Sequence, residues 1–193
     1  MVINGVEMIT DRTASDVEIA KSLVKKGLQN MTNEEKQAFL SGLKGAYNYT
    51  DLNRVESAVQ YMFGRLTALP KDLRTLAGVL GVAWDELFDV PYEVKDYTSI
   101  TTVTDWDVYD VVDTANRSRY LQNLQTIANA VGKDADKIPR EWEGIKYSDA
   151  NNIEIMLEKS LAFIDDLQSK KINLIESTHK NWIYSGEAYG GEI

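Results

Sequence analysis

Two octapeptides place carboxylates where they could act together: "YTDLNRVE" at residues 49–56 and "YSDANNIE" at 147–154. Tyr49, Asp51, Asn53 and Glu56 recur as Tyr147, Asp149, Asn151 and Glu154, with Thr50/Ser148 and Val55/Ile153 as close substitutions. If Asp51, Glu56, Asp149 and Glu154 converged, they would suit a divalent cation or the acid pair of a glycosidase. The competing reading is a helix-starting device used twice. Acidic and hydroxyl side chains at a helix start satisfy free N–H groups and face the positive end of the dipole, which makes Thr50 or Asp51, and Ser148 or Asp149, the expected caps. Tyr49 and Tyr147 would then precede the caps as hydrophobic staples.

Other chemistry is scarce. His179 is the single histidine, and no serine or carboxylate motif stands near it in the frame of a catalytic triad; it reads as a surface residue near a helix end. The chain has no cysteine, which removes disulfides, thiolate nucleophiles and the usual structural zinc sites. "GLKGAY" and "GVLGVAW" lack the spacing of a phosphate-binding loop. Trp84, Trp106, Trp142 and Trp182 read as packing residues before they read as a sugar platform. The expectation is therefore no catalytic residue, no metal and no cofactor.

The elements that would position these side chains are mostly helices. In "TASDVEIAKSLVKKGL", Thr13 caps with Asp16 three residues on, Val17, Ala20, Val24 and Leu28 share a face, and Lys25 and Lys26 sit in the last turn. Thr32 and Glu35 make a second capping box, with Phe39, Leu43 and Ala46 behind it, so the two helices form a hairpin. From Leu52 the apolar stripe continues through Val55, Val59, Met62, Leu66 and Leu69. Thr114 opens and Gly132 closes a helix striped by Leu121, Leu124, Ala128 and Val131. The longest stripe runs from Ile153 through Met156, Leu157, Leu161, Ile164 and Leu167 to Leu174. Between Pro70 and Pro91 the pattern suggests one or two short helices, and "YEVKDYTSITTVTDWDVYDVV" reads as a short strand or an extended crossing. "DKIPREWEGI" reads as a loop, and the two ends, "VINGVEMI" and "NWIYSGEAYGGEI", are suited to a small terminal sheet.

The fold class expected is thus mainly α, built of helical hairpins or a bundle, with two diverged helical units and short extended termini. The units are residues 1–69 and 105–180, joined by a connecting or inserted segment at 70–104 and followed by an aromatic, glycine-rich tail at 181–193. In that tail Trp182, Ile183, Tyr184 and Tyr189 bring large apolar area to a segment whose Gly186, Gly190 and Gly191 oppose helix. They are the candidate assembly contact.

Composition narrows the function classes. Twenty-one basic and thirty acidic residues give a net charge of -9, which disfavours nucleic-acid backbones and anionic membranes as partners. No apolar run approaches the roughly 20 residues that span a bilayer, and the first residues have neither a basic nor an apolar signal region, so synthesis in the cytoplasm as a soluble chain is the expectation.

Residues 11–62, "DRTASDVEIAKSLVKKGLQNMTNEEKQAFLSGLKGAYNYTDLNRVESAVQYM", resemble a module of minor structural proteins in phages and prophages of Gram-positive bacteria. The same holds for "TDWD", "RYLQNLQTIANAV", "YSDANNIEIMLEKS" and the ending "WIYSGEAYGGE", and together these stretches cover about two thirds of the chain. The segment from Pro70 to about Tyr97 departs from the pattern and reads as an insertion. The resemblance implies a virion component of the tail or host-adhesion apparatus. Its partners would be other virion proteins and copies of itself, and it brings no family active site. A carbohydrate-binding adhesion module is the alternative: exposed coplanar aromatics beside carboxylates would favour it, and buried aromatics would oppose it.

Overall fold

A computed structural model describes residues 1–80, 100–132, 134–142 and 145–187, apart from the side chains of 69–80, 171–172 and 174–187. The chain opens with a two-stranded hairpin, β1 (Val2–Ile3) and β2 (Val6–Glu7), in which Val2 faces Glu7 and Ile3 faces Val6. Asn4 and Gly5 form its turn with φ of 49° and 80°, the doubly positive pattern that matches the twist of a two-residue hairpin. β1 pairs with its own neighbour; of the C-terminal stretch expected to pair with it, residues 181–187 are helical and 188–193 lie outside the described residues.

An extended segment leads to α1 (Ala14–Lys26) and α2 (Asn33–Ser41), and both capping boxes form as expected, Thr13 with Asp16 and Thr32 with Glu35. The buried side of α1 differs from the expected stripe. Ala20 and Leu23 are buried, while Val24 and Leu28 face outward. The long helices follow: α3 (Tyr49–Leu80), α4 (Thr114–Val131) and α5 (Tyr147–Glu187). Asp113, one residue before the expected Thr114, caps α4, and Gly132 ends it in the left-handed region with φ 65°. The stretch 100–112 holds no strand and makes a turn at 107–110.

The fold is mainly α. Its core is the packing of α3, α4 and α5, with Val55, Val59, Met62 and Leu66 meeting Leu124, Ile127, Ile153, Met156, Leu157 and Ile164, and with Ile3 of the hairpin beneath them. Each such side chain contributes roughly 1.5–3 kcal/mol by leaving water. The core draws no residue from α1 or α2. Ion pairs tie its edges: Met1 N–H₃⁺ to Glu158, Arg65 to Asp165, and Lys159 and Lys137 to Asp134. The two lysines hold the Asp134 carboxyl at about 2.

Two expected boundaries move. Residue 69 is not an element boundary, because α3 runs on through Pro70 to Leu80; a proline forfeits one intrahelical bond while the turns on either side keep theirs. The tail expected from residue 181 begins as helix, since α5 continues through Trp182, Ile183, Tyr184 and Gly186 to Glu187. A single glycine costs about 1 kcal/mol against alanine in a helix, too little to stop one. Residues 81–99, with Trp84, and 188–193, with Tyr189, lie outside the described residues.

The hairpin of α1 and α2 is seated through one glycine. A Cβ added at Gly45 would lie 1.9 Å from the Asp16 carbonyl oxygen in the first turn of α1, a backbone atom that cannot swing aside. Gly45→Ala should therefore lower stability by about 1–3 kcal/mol, the usual cost of overpacking, measured by urea denaturation. An unchanged midpoint would show that the first turn of α1 is not seated there.

Candidate functional site

The octapeptides do not cap their helices with the expected residues. Asn48 starts α3: its Oδ1 accepts the Thr50 N–H at 2.8 Å, and Asp51 reaches back to the Asn48 N–H at 3.0 Å. At α5, Asp149 reaches back to the Lys146 N–H at 2.9 Å. Tyr49 and Tyr147 are the first helical residues rather than staples before a cap, and the Tyr49 hydroxyl donates to the Leu40 carbonyl.

The Asn and Glu positions do something the helix start does not require. Asn151 accepts the Arg12 N–H at 3.0 Å and donates its own Nδ2–H to the Arg12 carbonyl at 2.9 Å. Three residues on, Glu154 accepts the Ile9 N–H and a hydrogen bond from Arg12 Nη2 at 2.6 Å. The first octapeptide repeats this on another segment. Asn53 accepts the Trp106 N–H and donates to the Trp106 carbonyl, both at 2.8 Å, while Glu56 accepts the Val103 N–H at 2.9 Å and the Trp106 indole N–H at 3.3 Å. Each octapeptide thus clamps an extended tetrapeptide by its first and fourth residues.

The clamped pieces are Ile9-Thr10-Asp11-Arg12 and Val103-Thr104-Asp105-Trp106, themselves a repeat that sequence reasoning missed. The clamps are also exchanged. The octapeptide of the second unit holds the tetrapeptide of the first, and the octapeptide of the first holds the tetrapeptide that leads into the second. The units are therefore interlocked around one core, and a boundary between Thr104 and Asp105 would cut through a clamped segment.

Each clamping glutamate is neutralised. Glu154 is fully buried and also takes Arg54 Nε and Nη2 at 3.1 and 3.0 Å, while Arg12 and Arg54 share Asp51. Glu56 is paired bidentately with Arg119, at 2.5 and 2.7 Å. Arg12, 4% exposed, further donates to the Ile9 carbonyl and lies over the Tyr47 ring at 5.9 Å, and its Nε has no partner among the described residues. The Tyr47 and Tyr120 hydroxyls are bonded to each other, and burial pushes both well above the ordinary tyrosine range.

Of the four sequence-predicted carboxylates, the structure brings together Asp51 and Glu154, across two arginines; Glu56 has its own arginine, and Asp149 stays at the start of α5. Acids held this way have their lone pairs taken by arginine and backbone donors. Among the described residues, no group of three His, Cys, Asp or Glu is placed to hold a metal ion. The described tryptophans do not form a flat platform: Trp106 is 8% exposed, and Trp142 packs edge-on against Tyr120 at 5.3 Å and Tyr47 at 6.4 Å. Trp182, Ile183 and Tyr184 lie on α5 without described side chains, as does His179.

Comparison with known protein families, with curated proteins and with solved structures finds no match.

The clamps give graded expectations. Asp149→Ala removes half of a helix start and should cost about 0.5–2 kcal/mol. Asn53→Ala and Asn151→Ala should each cost roughly 1–3 kcal/mol for every backbone group left stranded. Glu154→Gln leaves Arg12 buried with too little negative charge and should cost about 3–5 kcal/mol. Millimolar calcium should leave the melting temperature of the unmodified protein unchanged; a rise of several degrees, lost in Asp51→Ala, would restore the cation site.

Proposed function

We propose that this chain is a non-catalytic structural subunit of a phage virion, in the tail or host-adhesion apparatus, acting through protein–protein assembly contacts. The observation that carries the non-catalytic part is the consumption of the octapeptide carboxylates: Glu56, Asp51 and Glu154 are buried and spent on arginines and backbone N–H groups. An acid needed for wall hydrolysis would have to reach solvent and substrate. The virion part rests on the resemblance of residues 11–62 and the shorter stretches after them to minor structural proteins of phages. The burial of Trp106 and the edge-on packing of the half-buried Trp142 weigh against the carbohydrate-binding alternative. Trp182, Ile183, Tyr184 and Tyr189 remain the proposed contact to other virion proteins, the first three lying in the last turns of α5.

Particles purified after induction of the bacterium that carries the gene should contain the chain. A version ending at Lys180 should keep its helical circular dichroism yet be lost from them. Purified protein should leave Gram-positive cell walls intact. Reproducible wall lysis abolished by one Asp or Glu substitution, or absence of the full chain from particles, would overturn this reading.

A further inference from the structure

Among the described residues, two exposed surfaces stand out, and they are opposite in charge. The first is the turn between the Trp106 clamp and α4. Asp107 accepts the Tyr109 N–H at 2.6 Å, Asp110 accepts the Asp107 N–H at 2.8 Å, and the Asp110 N–H returns to the Asp107 carbonyl at 3.2 Å. Asn53 holds Trp106 on one side of this turn, and Asp113 caps α4 on the other. On the turn so fixed, Val108, Tyr109 and Val111 are 53%, 89% and 81% exposed. Asp105, Asp107, Asp110 and Asp113 surround them, and no lysine or arginine lies between residues 105 and 116. Apolar side chains held in place before contact lose little freedom on binding, and aromatic ones anchor interfaces most strongly.

The second surface is the outer side of α1. Lys26 pairs with Glu35, which marks the side of α1 that faces α2. At about 100° per residue, Lys21 and Val24 fall on the side away from Lys26, Lys25 lies a quarter-turn from Lys26 with Glu18 beside it on the same strip, and Leu28 follows just past the helix end. Val24 is 64% and Leu28 46% exposed, Lys21 is paired with Glu18 at 2.9 Å, and Lys25 has no ion pair among the described residues.

We propose that the acidic, tyrosine-bearing turn at 105–113 of one copy docks on the Lys21, Val24, Lys25 and Leu28 face of a second copy. The turn offers apolar area among four aspartates, and the α1 face offers apolar area beside two lysines and one glutamate, a net positive charge. They cannot meet within one chain. The turn shares a groove of about 480 Å³ with Phe39 of α2 and with Leu43 just after it, whereas Lys21 and Val24 stand on the side of α1 away from the Lys26–Glu35 pair with α2. The contact therefore joins unlike surfaces head to tail, a geometry that closes into a ring or runs on as a filament. This deepens the assembly reading above and rests on it for its setting, but it is tested on the purified full chain alone.

The test is light scattering coupled to gel filtration over a range of concentrations and salt. The unmodified chain should form oligomers that weaken as salt rises. Tyr109→Ser and Val24→Glu change exposed residues; each should stay helical by circular dichroism and weaken association at least about tenfold, the loss of about 1.4 kcal/mol or more. Mixed in equal amounts, the two variants should recover a dimer and nothing larger, because each keeps the surface the other has lost. A monomeric unmodified chain at all concentrations, variants that assemble as it does, or a mixture that stays monomeric would each overturn the contact. A chain that is monomeric alone yet present in particles would remove this contact and spare the virion reading. One that self-associates as described yet is missing from particles would do the reverse.

Discussion

Arg12 sits at 4% exposure with its guanidinium between Asp51 and Glu154, and the rest of the architecture follows from the need to keep it there. Two carboxylates in so dry a site would repel each other strongly without cations, and an arginine so buried would be intolerable without anions. Arg54 supplies the second positive charge, from the same turn of α3 as Asp51. The four residues come from the N-terminal segment, α3 and α5, so the charge balance can be met only when parts of the chain about 140 residues apart in sequence are in register. Hydrophobic packing of α3 on α5 draws the helices together; the ion cluster selects one alignment among the many that such stripes would allow.

The exchange of tetrapeptides between the units extends that constraint across the molecule. An extended segment running over a helical core has no ladder to satisfy its N–H and C=O groups. Here Asn53 and Asn151 supply both a donor and an acceptor to one residue each, and Glu56 and Glu154 take the N–H three residues earlier. Four side chains thereby replace a strand partner. Because each unit holds the other's segment, neither has its backbone groups satisfied without the other, and the two behave as one fold although the sequence repeats. Fixing Trp106 also fixes the start of the turn that carries Tyr109, which links the interior device to the surface.

Much of this was legible in the sequence, and the reasons differ by element. The stripes of α3, α4 and α5 could be read because burial against a helical core demands apolar residues every three or four positions, and Val55, Met62, Leu124, Ile153 and Ile164 obey it. Thr13 and Thr32 could be read because a capping box is local. The octapeptide was visible as a repeat, yet its meaning was not, since Asn53 and Glu56 act on residues 103–106, and Asn151 and Glu154 on 9–12. A signal existed in Ile9-Thr10-Asp11-Arg12 and Val103-Thr104-Asp105-Trp106, but with only two identities and a cation replaced by an indole it gains force only once both are seen in equivalent clamps. The outward turn of Val24 and Leu28 was misread for a related reason: an apolar stripe tells that a face avoids water, not which neighbour covers it. The N-terminal stretch was read only as extended, although its Asn4-Gly5 pair between apolar residues is a local hairpin signal that folds the stretch on itself.

The claim that the two clamps act as a single cooperative device is tested most directly by native-state hydrogen exchange at the Ile9, Arg12, Val103 and Trp106 amides. None of them lies in a helix or a strand. If the clamps hold as described, all four should exchange with the same free energy as the core amides of α3, by global unfolding. If they exchange orders of magnitude faster than that core, or if one pair opens independently of the other, the segments are only draped over the helices and the reciprocal lock does not exist.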